Sequence, residues 1–176
     1  MEPTEKALAE DIWRATQSSL TELVHWMAWA ATSTLQETRT FAIQAEVQWA
    51  ANVAYHFTIV QGGEVIGGVG LEIRGPLEGL GELGYWVRSD RCGRGFATES
   101  AASVVEFAFG DLDLHRIELR AGVGNRASQR VAEKLGFRRE GTLRQASGRP
   151  EAPYDCYLYG LLASDSRPDT GSESKP

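Results

Sequence analysis

The sequence predicts an α+β domain, and three observations carry that reading. The first fifty or so residues place apolar side chains at three- and four-residue spacings, the period of an amphipathic helix. From Tyr55 the pattern turns to alternating, β-forming residues folded back around Gly62-Gly63. Beyond Gly81, strand-like runs alternate with two helical ones, so helices and an antiparallel hairpin are followed by β-α-β-α-β-β.

Taken in order, Leu8, Ile12, Trp13 and Ala15 mark a first helix, and Leu20, Leu23, Val24 and Met27 a second, which Ser19 or Thr21 would cap. A third helix spans about 35–50, with Phe41, Val47 and Trp49 as its inward residues. Tyr55–Val60 and Val65–Ile73 form the hairpin, the return strand weakened or bulged at Gly67, Gly68 and Gly70. Glu82–Val87 is a third strand. Ala97–Phe109 is a helix whose Ala97, Ala101, Val104, Val105 and Ala108 share a face. Arg116–Ala121 is a strand, Ser128–Leu135 a helix stopped by Gly136, and 137–143 and 154–162 the last strands. Residues 1–163 read as one domain, and 164–176, polar with Gly, Pro and Ser, as a disordered polar tail.

At 176 residues the chain can bury a core without disulfide or metal staples. Its longest unbroken apolar run is Trp26–Ala31, far short of the roughly 20 residues of a membrane span. No basic and apolar leader opens the chain. Two cysteines, Cys92 and Cys156, make neither a disulfide framework nor a zinc site, which favours a reducing cytoplasm. His25, His56 and His115 show no metal-ligand spacing, so no metal is expected. The net charge of −6 argues against a nucleic-acid partner. The charge is uneven: residues 88–149 hold 12 Lys and Arg against 8 Asp and Glu, whereas residues 1–87 hold 4 against 11. A basic segment in an acidic chain suits a small polyanion, and the acidic remainder suits a cationic or amine substrate.

Two glycine-bearing turns carry the chemistry. In Arg91-Cys92-Gly93-Arg94-Gly95-Phe96-Ala97-Thr98 a strand passes into a helix, and Gly93 and Gly95 let backbone N–H groups converge. Those amides, the helix N-terminus and the Arg91 and Arg94 charges make an anion cradle suited to a pyrophosphate. The second turn, Gly122-Val123-Gly124-Asn125-Arg126-Ala127-Ser128, matches the dinucleotide fingerprint G-x-G-x-x-A. Only about 50 residues follow it, too few for a full dinucleotide fold. Asn125 also reads simply as a helix cap. Trp26 and Trp29, three apart, would share a helix face, in the core or as the wall of a substrate groove.

The two turns, in this order and spacing, resemble the GNAT N-acetyltransferase superfamily over about 55–162. Glu82-Leu-Gly-Tyr-Trp-Val87, Gly93-Arg-Gly-Phe-Ala-Thr-Glu99 and Asn125-Arg-Ala-Ser128 running to Lys134-Leu-Gly-Phe-Arg-Arg-Glu-Gly141 carry the likeness. Ser19–Ala30, Glu140–Arg144 and Tyr154–Tyr159 are similar to the ribosomal-protein acetyltransferase branch.

The resemblance implies a mixed, mostly antiparallel sheet with splayed central strands and flanking helices. It implies acetyl-CoA as donor and a primary amine as acceptor, a protein N-terminal α-amine first. A small amine or amine-bearing antibiotic is the alternative acceptor, and a non-catalytic acyl-CoA-binding module the alternative function. By the same likeness, Arg94, Gly95, Phe96, Ala97 and Thr98 would hold the pyrophosphate. Trp86 and Val87 would flank the pantetheine, with the Val87 N–H stabilising the oxyanion. Glu82 would be the base, Ser128 an acid near the sulfur, and Asn125 a cofactor contact. Trp26, Trp29, Glu82 and Tyr154 would meet the acceptor.

Four departures stand out. Cys92 replaces the Gln or Arg that usually opens the glycine motif, and Ala132 replaces a common tyrosine acid. Ser147 stands where the branch has a further glutamate. The family's first strand would be missing, with Pro3-Thr4 resembling its end; the bare edge of Tyr55–Val60 would then favour a homodimer.

Overall fold

A computed structural model describes residues 1–74 and 79–166. The elements in chain order are β1 (Glu2–Pro3), α1 (Ala9–Gln17), α2 (Leu20–Trp26), α3 (Leu35–Ala50), β2 (Ala54–Gln61), β3 (Glu64–Arg74), β4 (Leu80–Val87), α4 (Phe96–Gly110), β5 (Arg116–Gly122), α5 (Arg126–Lys134), β6 (Arg138–Arg149) and β7 (Ala152–Leu162). Short 3-10 turns occupy Lys6–Leu8, Ala28–Thr32 and Ser89–Arg91. The strands form one sheet in the order β1-β2-β3-β4-β5-β7-β6. Every neighbouring pair is antiparallel except β4–β5.

The hairpin between β2 and β3 turns at Gly62 and Gly63, both at positive φ (59° and 81°) as a type I′ turn demands. Tyr55, Phe57 and Ile59 face α4, while His56 and Thr58 face the opposite side. On the α4 side, Ala101, Val104, Val105 and Ala108 pack on Leu71, Leu83, Ile117 and Leu119, all essentially buried. Trp49, at the end of α3, reaches round to meet Tyr55, Phe57 and Phe107 in one aromatic cluster with centroids 5.1–6.4 Å apart. The other sheet face is covered at one end by α1, where Ile12 and Ala15 pack on Val65, Val60 and Trp86. Elsewhere on that face a cleft stays open.

α3 begins in a capping box, with Thr34 and Glu37 satisfying each other's backbone amides. Its inward face differs from the expected one. Phe41 and Val47 are 39% and 64% exposed, and Thr38, Ala42 and Ala45 are buried instead. α3 lies directly against α1 and β2, and so close an approach selects small side chains. The α4 face holds Ala101, Val104, Val105 and Ala108 as expected, with Ser100 in place of Ala97 at its buried start.

The expected loss of the first strand needs correction. Glu2 and Pro3 pair with Thr58 and Phe57, the Thr4 amide donates to the His56 carbonyl at 2.8 Å, and the Thr4 and Thr58 hydroxyls meet at 3.0 Å. A two-residue strand is therefore present, and it covers only the middle of the β2 edge. The last strands run further than the residue pattern suggested, because the β6–β7 ladder continues past a bulge between Leu143 and Ser147. The tail expected from Ser164 lies largely outside the described residues. Its first part is held, since Asp165 accepts from the Leu162 amide and pairs with Arg138.

Candidate active site

The site grows from one break in the sheet. β4 and β5 run parallel and in register only from Leu80–Arg116 to Leu83–Leu119. Past Leu83 the two strands part, while β4 stays paired to β3 as far as Val87. The Arg88 amide donates to Ile66 on the β3 side at 2.8 Å. Backbone groups alternate along a strand, so the Val87 N–H turns the other way, into the gap.

The glycine turn lies at the mouth of this gap. Gly93 and Gly95 sit at φ 77° and 93°, left-handed conformations that other residues adopt only with strain. Gly95 is the N-cap of α4, and no side chain caps that helix. The amides of Phe96, Ala97 and Thr98 thus point outward at the positive end of a four-turn helix. The expected pair of cationic side chains reduces to one. Arg91 is tied to Glu64 (3.1 Å) and Asp90 (3.5 Å), whereas Arg94 is exposed and makes no ion pair among the described residues. Arg88 also holds Asp90, lowering that carboxyl below its usual range. Cys92 leans on the Arg88 carbonyl at 3.4 Å; partial burial and the charges of Asp90 and Glu22 push its thiol pKa up, away from thiolate reactivity. Across the loop, the Ser89 amide donates to Ser19 Oγ at 2.9 Å, so Ser19 anchors the cradle rather than capping its own helix.

On the far side of the gap, Asn125 caps α5 through a bond from the Ser128 amide (3.1 Å). Ser128 meets a partner that sequence reasoning did not assign. The Tyr85 hydroxyl lies 3.0 Å from Ser128 Oγ and donates to the Ser128 carbonyl at 3.1 Å. Either hydroxyl can be the donor across the 3.0 Å contact, and when the phenol turns its proton to Ser128 Oγ the serine proton is left free. Burial pushes the Tyr85 pKa up to about 12, so it stays protonated through the neutral range. Tyr85 stood inside the Glu82–Val87 run, and its odd position relative to Glu82, Gly84 and Trp86 was the available signal: it faces the other side of β4.

Glu82 stands on the opposite face of the same strand. Its carboxylate pairs with Arg74 and lies 3.7 Å from Arg120. It opens onto a half-enclosed cleft of about 520 Å³. Trp29 and Trp86 wall one end of that cleft (centroids 6.1 Å apart), and Phe41 and His56 the other (5.1 Å). His56, read from sequence as a surface or core residue, lines the cleft; burial lowers its pKa against the pull of Glu72.

Trp26 and Trp29 do not share a helix face. The chain leaves helical geometry at Met27, and Trp29 belongs to the following 3-10 turn. Trp26 lies instead over the second glycine turn, edge-on to Tyr154 at 5.8 Å, and the Tyr154 hydroxyl donates to its carbonyl at 2.8 Å. A Cβ on Gly122 or Gly124 would meet the Trp26 ring at 2.9 or 3.3 Å. The G-x-G spacing there is thus explained by a tryptophan packed on the turn, with no dinucleotide needed. Neither Trp26 nor Tyr154 lines the cleft that holds Glu82. Among the described residues no cluster of metal-ligating side chains occurs, and no helix is long and apolar enough to cross a membrane.

The pattern of the acetyltransferase (GNAT) domain family matches residues 1–138. The chain belongs to that family. Among curated relatives, the uncharacterized N-acetyltransferase YoaA of Bacillus subtilis is 34% identical over 99 residues, 56% of each chain. The ribosomal-protein-serine acetyltransferase of Escherichia coli is 30% identical over 106 residues, covering 60% of this chain and 59% of that protein. The chain thus spans somewhat over half the length of these relatives. Mycobacterium smegmatis RimJ, solved in complex with CoA-disulfide, superposes with a TM-score of 0.83 at 25% identity, covering 92% of this chain and 80% of that one. The splayed β4–β5 pair and the mixed sheet with flanking helices are the architecture expected of a GNAT protein.

Proposed function

We propose that this GNAT chain is an acetyl-CoA-dependent N-acetyltransferase acting on a primary amine, a protein N-terminal α-amine first. The β4–β5 splay is the observation that carries the reading. Through it, a donor in the helix cradle and an acceptor in the Glu82 cleft would meet across the sheet.

The residues present fit the donor. The uncapped amides of Phe96, Ala97 and Thr98, with Gly95 keeping the approach clear and Arg94 adding charge, would hold the pyrophosphate. Trp86 and Val87 would flank the pantetheine arm, and Asn125 would contact it from α5. Acetyl-CoA, when bound, supplies an acetyl group activated as a thioester. The remaining work falls to this chain. A primary amine is mostly protonated at neutral pH, so Glu82 takes its proton, directly or through a water. The Val87 N–H, which faces the gap, would donate to the attacked carbonyl oxygen as it gains charge. Ser128, on the opposite face, passes a proton to the departing sulfur while taking one from solvent water, and Tyr85 positions its hydroxyl. Base and acid on opposite faces of β4 match an amine arriving on one side and a thiol leaving on the other.

The ribosomal-protein relatives support a peptide acceptor. Two free cysteines, Cys92 and Cys156, accord with a cytoplasmic setting. A homodimer through the part of the β2 edge that β1 leaves open is the assembly we favour, to be read by sedimentation. The function is tested by incubating protein, acetyl-CoA and short peptides and following free thiol. Thiol release matched by acetylation of the peptide α-amine supports it. CoA binding with no transfer to any amine would instead mean a binding module.

A further inference from the structure

The cleft beside Glu82 has a shape that its sequence makes deliberate. Side chains on its floor fall into three rows set by strand register. Glu82 stands opposite Glu72, Gly84 opposite Gly70 and His56, and Trp86 opposite Gly68. Two of the glycines are there for rings. A Cβ on Gly70 would meet His56 Nδ1 at 2.6 Å, and one on Gly68 would meet Trp86 Nε1 at 2.8 Å, so each ring sits over a glycine. Gly84 is different. It is exposed, its φ is unstrained, and nothing lies within 4 Å of where its Cβ would be. The outcome is an open slot over Gly84. The Trp29–Trp86 pair bounds it on one side, the Phe41–His56 pair on the other, and the carboxylates close one end.

Small or polar acceptor groups gain little from such a slot, because four ring faces and edges would remain wet. A flat or bulky apolar group would fill it and exclude that water. We infer that the slot over Gly84 selects amines carrying an aromatic or large apolar group two carbons from the nitrogen, which sets the amine at Glu82. This rests on the transferase reading above and deepens it. The same chemistry is offered by a peptide whose first residue is Phe and by a free arylalkylamine.

The test uses two readouts on the whole protein. Intrinsic tryptophan fluorescence is titrated with Phe-Ala amide, Ser-Ala amide and phenethylamine, reporting binding at Trp29 and Trp86 without turnover. Thiol release from acetyl-CoA gives kcat/KM for the same three amines. Phe-Ala amide should bind at least tenfold tighter than Ser-Ala amide and react with at least tenfold higher kcat/KM. Gly84→Val, which fills the slot without backbone strain, and Trp29→Ala, which opens its wall, should each remove most of that preference. Both should leave the acetyl-CoA-induced rise in melting temperature unchanged. Phenethylamine matching Phe-Ala amide would name a small amine as the source, and a much weaker response a peptide end. Equal binding of the Phe and Ser compounds, or variants that keep the full preference, would overturn the inference. Selective binding of the Phe compound without thiol release would leave the slot standing and remove the transferase reading.

Discussion

Gly95→Val separates a cofactor cradle from a turn that merely needs glycine. Gly95 sits at φ 93°, and a Cβ there would meet Glu99 Oε1 at 3.0 Å. Holding valine in that conformation costs about 1–3 kcal/mol of stability. The Glu99 contact adds little, because the end of that side chain can move. For a chain of this size the loss lowers the melting temperature by roughly 3–10 °C. Binding should suffer more. Each charge-assisted bond from a backbone amide to a phosphate contributes about 1.5–3 kcal/mol. Displacing two of the three cradle amides therefore removes about 3–6 kcal/mol, a factor of roughly 10² to 10⁴ in Kd. Gly93→Ala is the control. Its φ of 77° brings comparable strain, yet nothing lies within 4 Å of the added carbon. Calorimetric titration with CoA at a temperature where both variants are folded reads the difference. The account expects a large loss for Gly95→Val and a small one for Gly93→Ala. Near-native CoA affinity in Gly95→Val would refute the cradle.

Other expectations follow from the same geometry. Glu82→Gln should lower kcat by about a hundredfold and shift the rate profile to higher pH, with CoA affinity retained; unchanged kinetics would take Glu82 out of the mechanism. Ser128→Ala should slow turnover, and Tyr85→Phe should reproduce part of that loss with KM for the amine unchanged. A wild-type rate in Ser128→Ala would leave Ser128 a helix residue only. The Glu140 carboxyl is held below its usual range by Arg116 (2.5 and 2.8 Å), so its ion pair stabilises the fold above that range and the gain disappears as pH falls through the lowered pKa. Glu140→Gln should therefore lower the melting temperature slightly at pH 7, by an amount that shrinks as the pH is lowered into the acid range; a difference independent of pH would contradict the assignment.

Most of the fold was legible in the residues because its signals are local. The Gly62-Gly63 turn, the apolar stripe of α4, the Asn125 cap and Gly136 at φ 86° each follow from backbone sterics or helix period. What was missed depends on distant partners. The inward face of α3 is set by its closeness to α1, so Ala42 and Ala45 rather than Phe41 and Val47 are buried. The break at Met27 sends Trp26 and Trp29 to different neighbours, which helical spacing could not show. Tyr85 was visible as a residue but not as a partner of Ser128, because that contact spans 43 positions. Gly68 and Gly70 read as weak strand until the register placed Trp86 and His56 over them.

The central claim is that a donor in the α4 cradle meets an amine at Glu82 through the gap between β4 and β5. The most direct measurement is the mass of an acceptor peptide after incubation with purified protein and acetyl-CoA, read beside free thiol. The account predicts one acetyl group on the α-amine for each thiol released, and loss of both in Glu82→Gln. Protein that binds CoA yet acetylates no amine, or transfer that is untouched by Glu82→Gln, would contradict it.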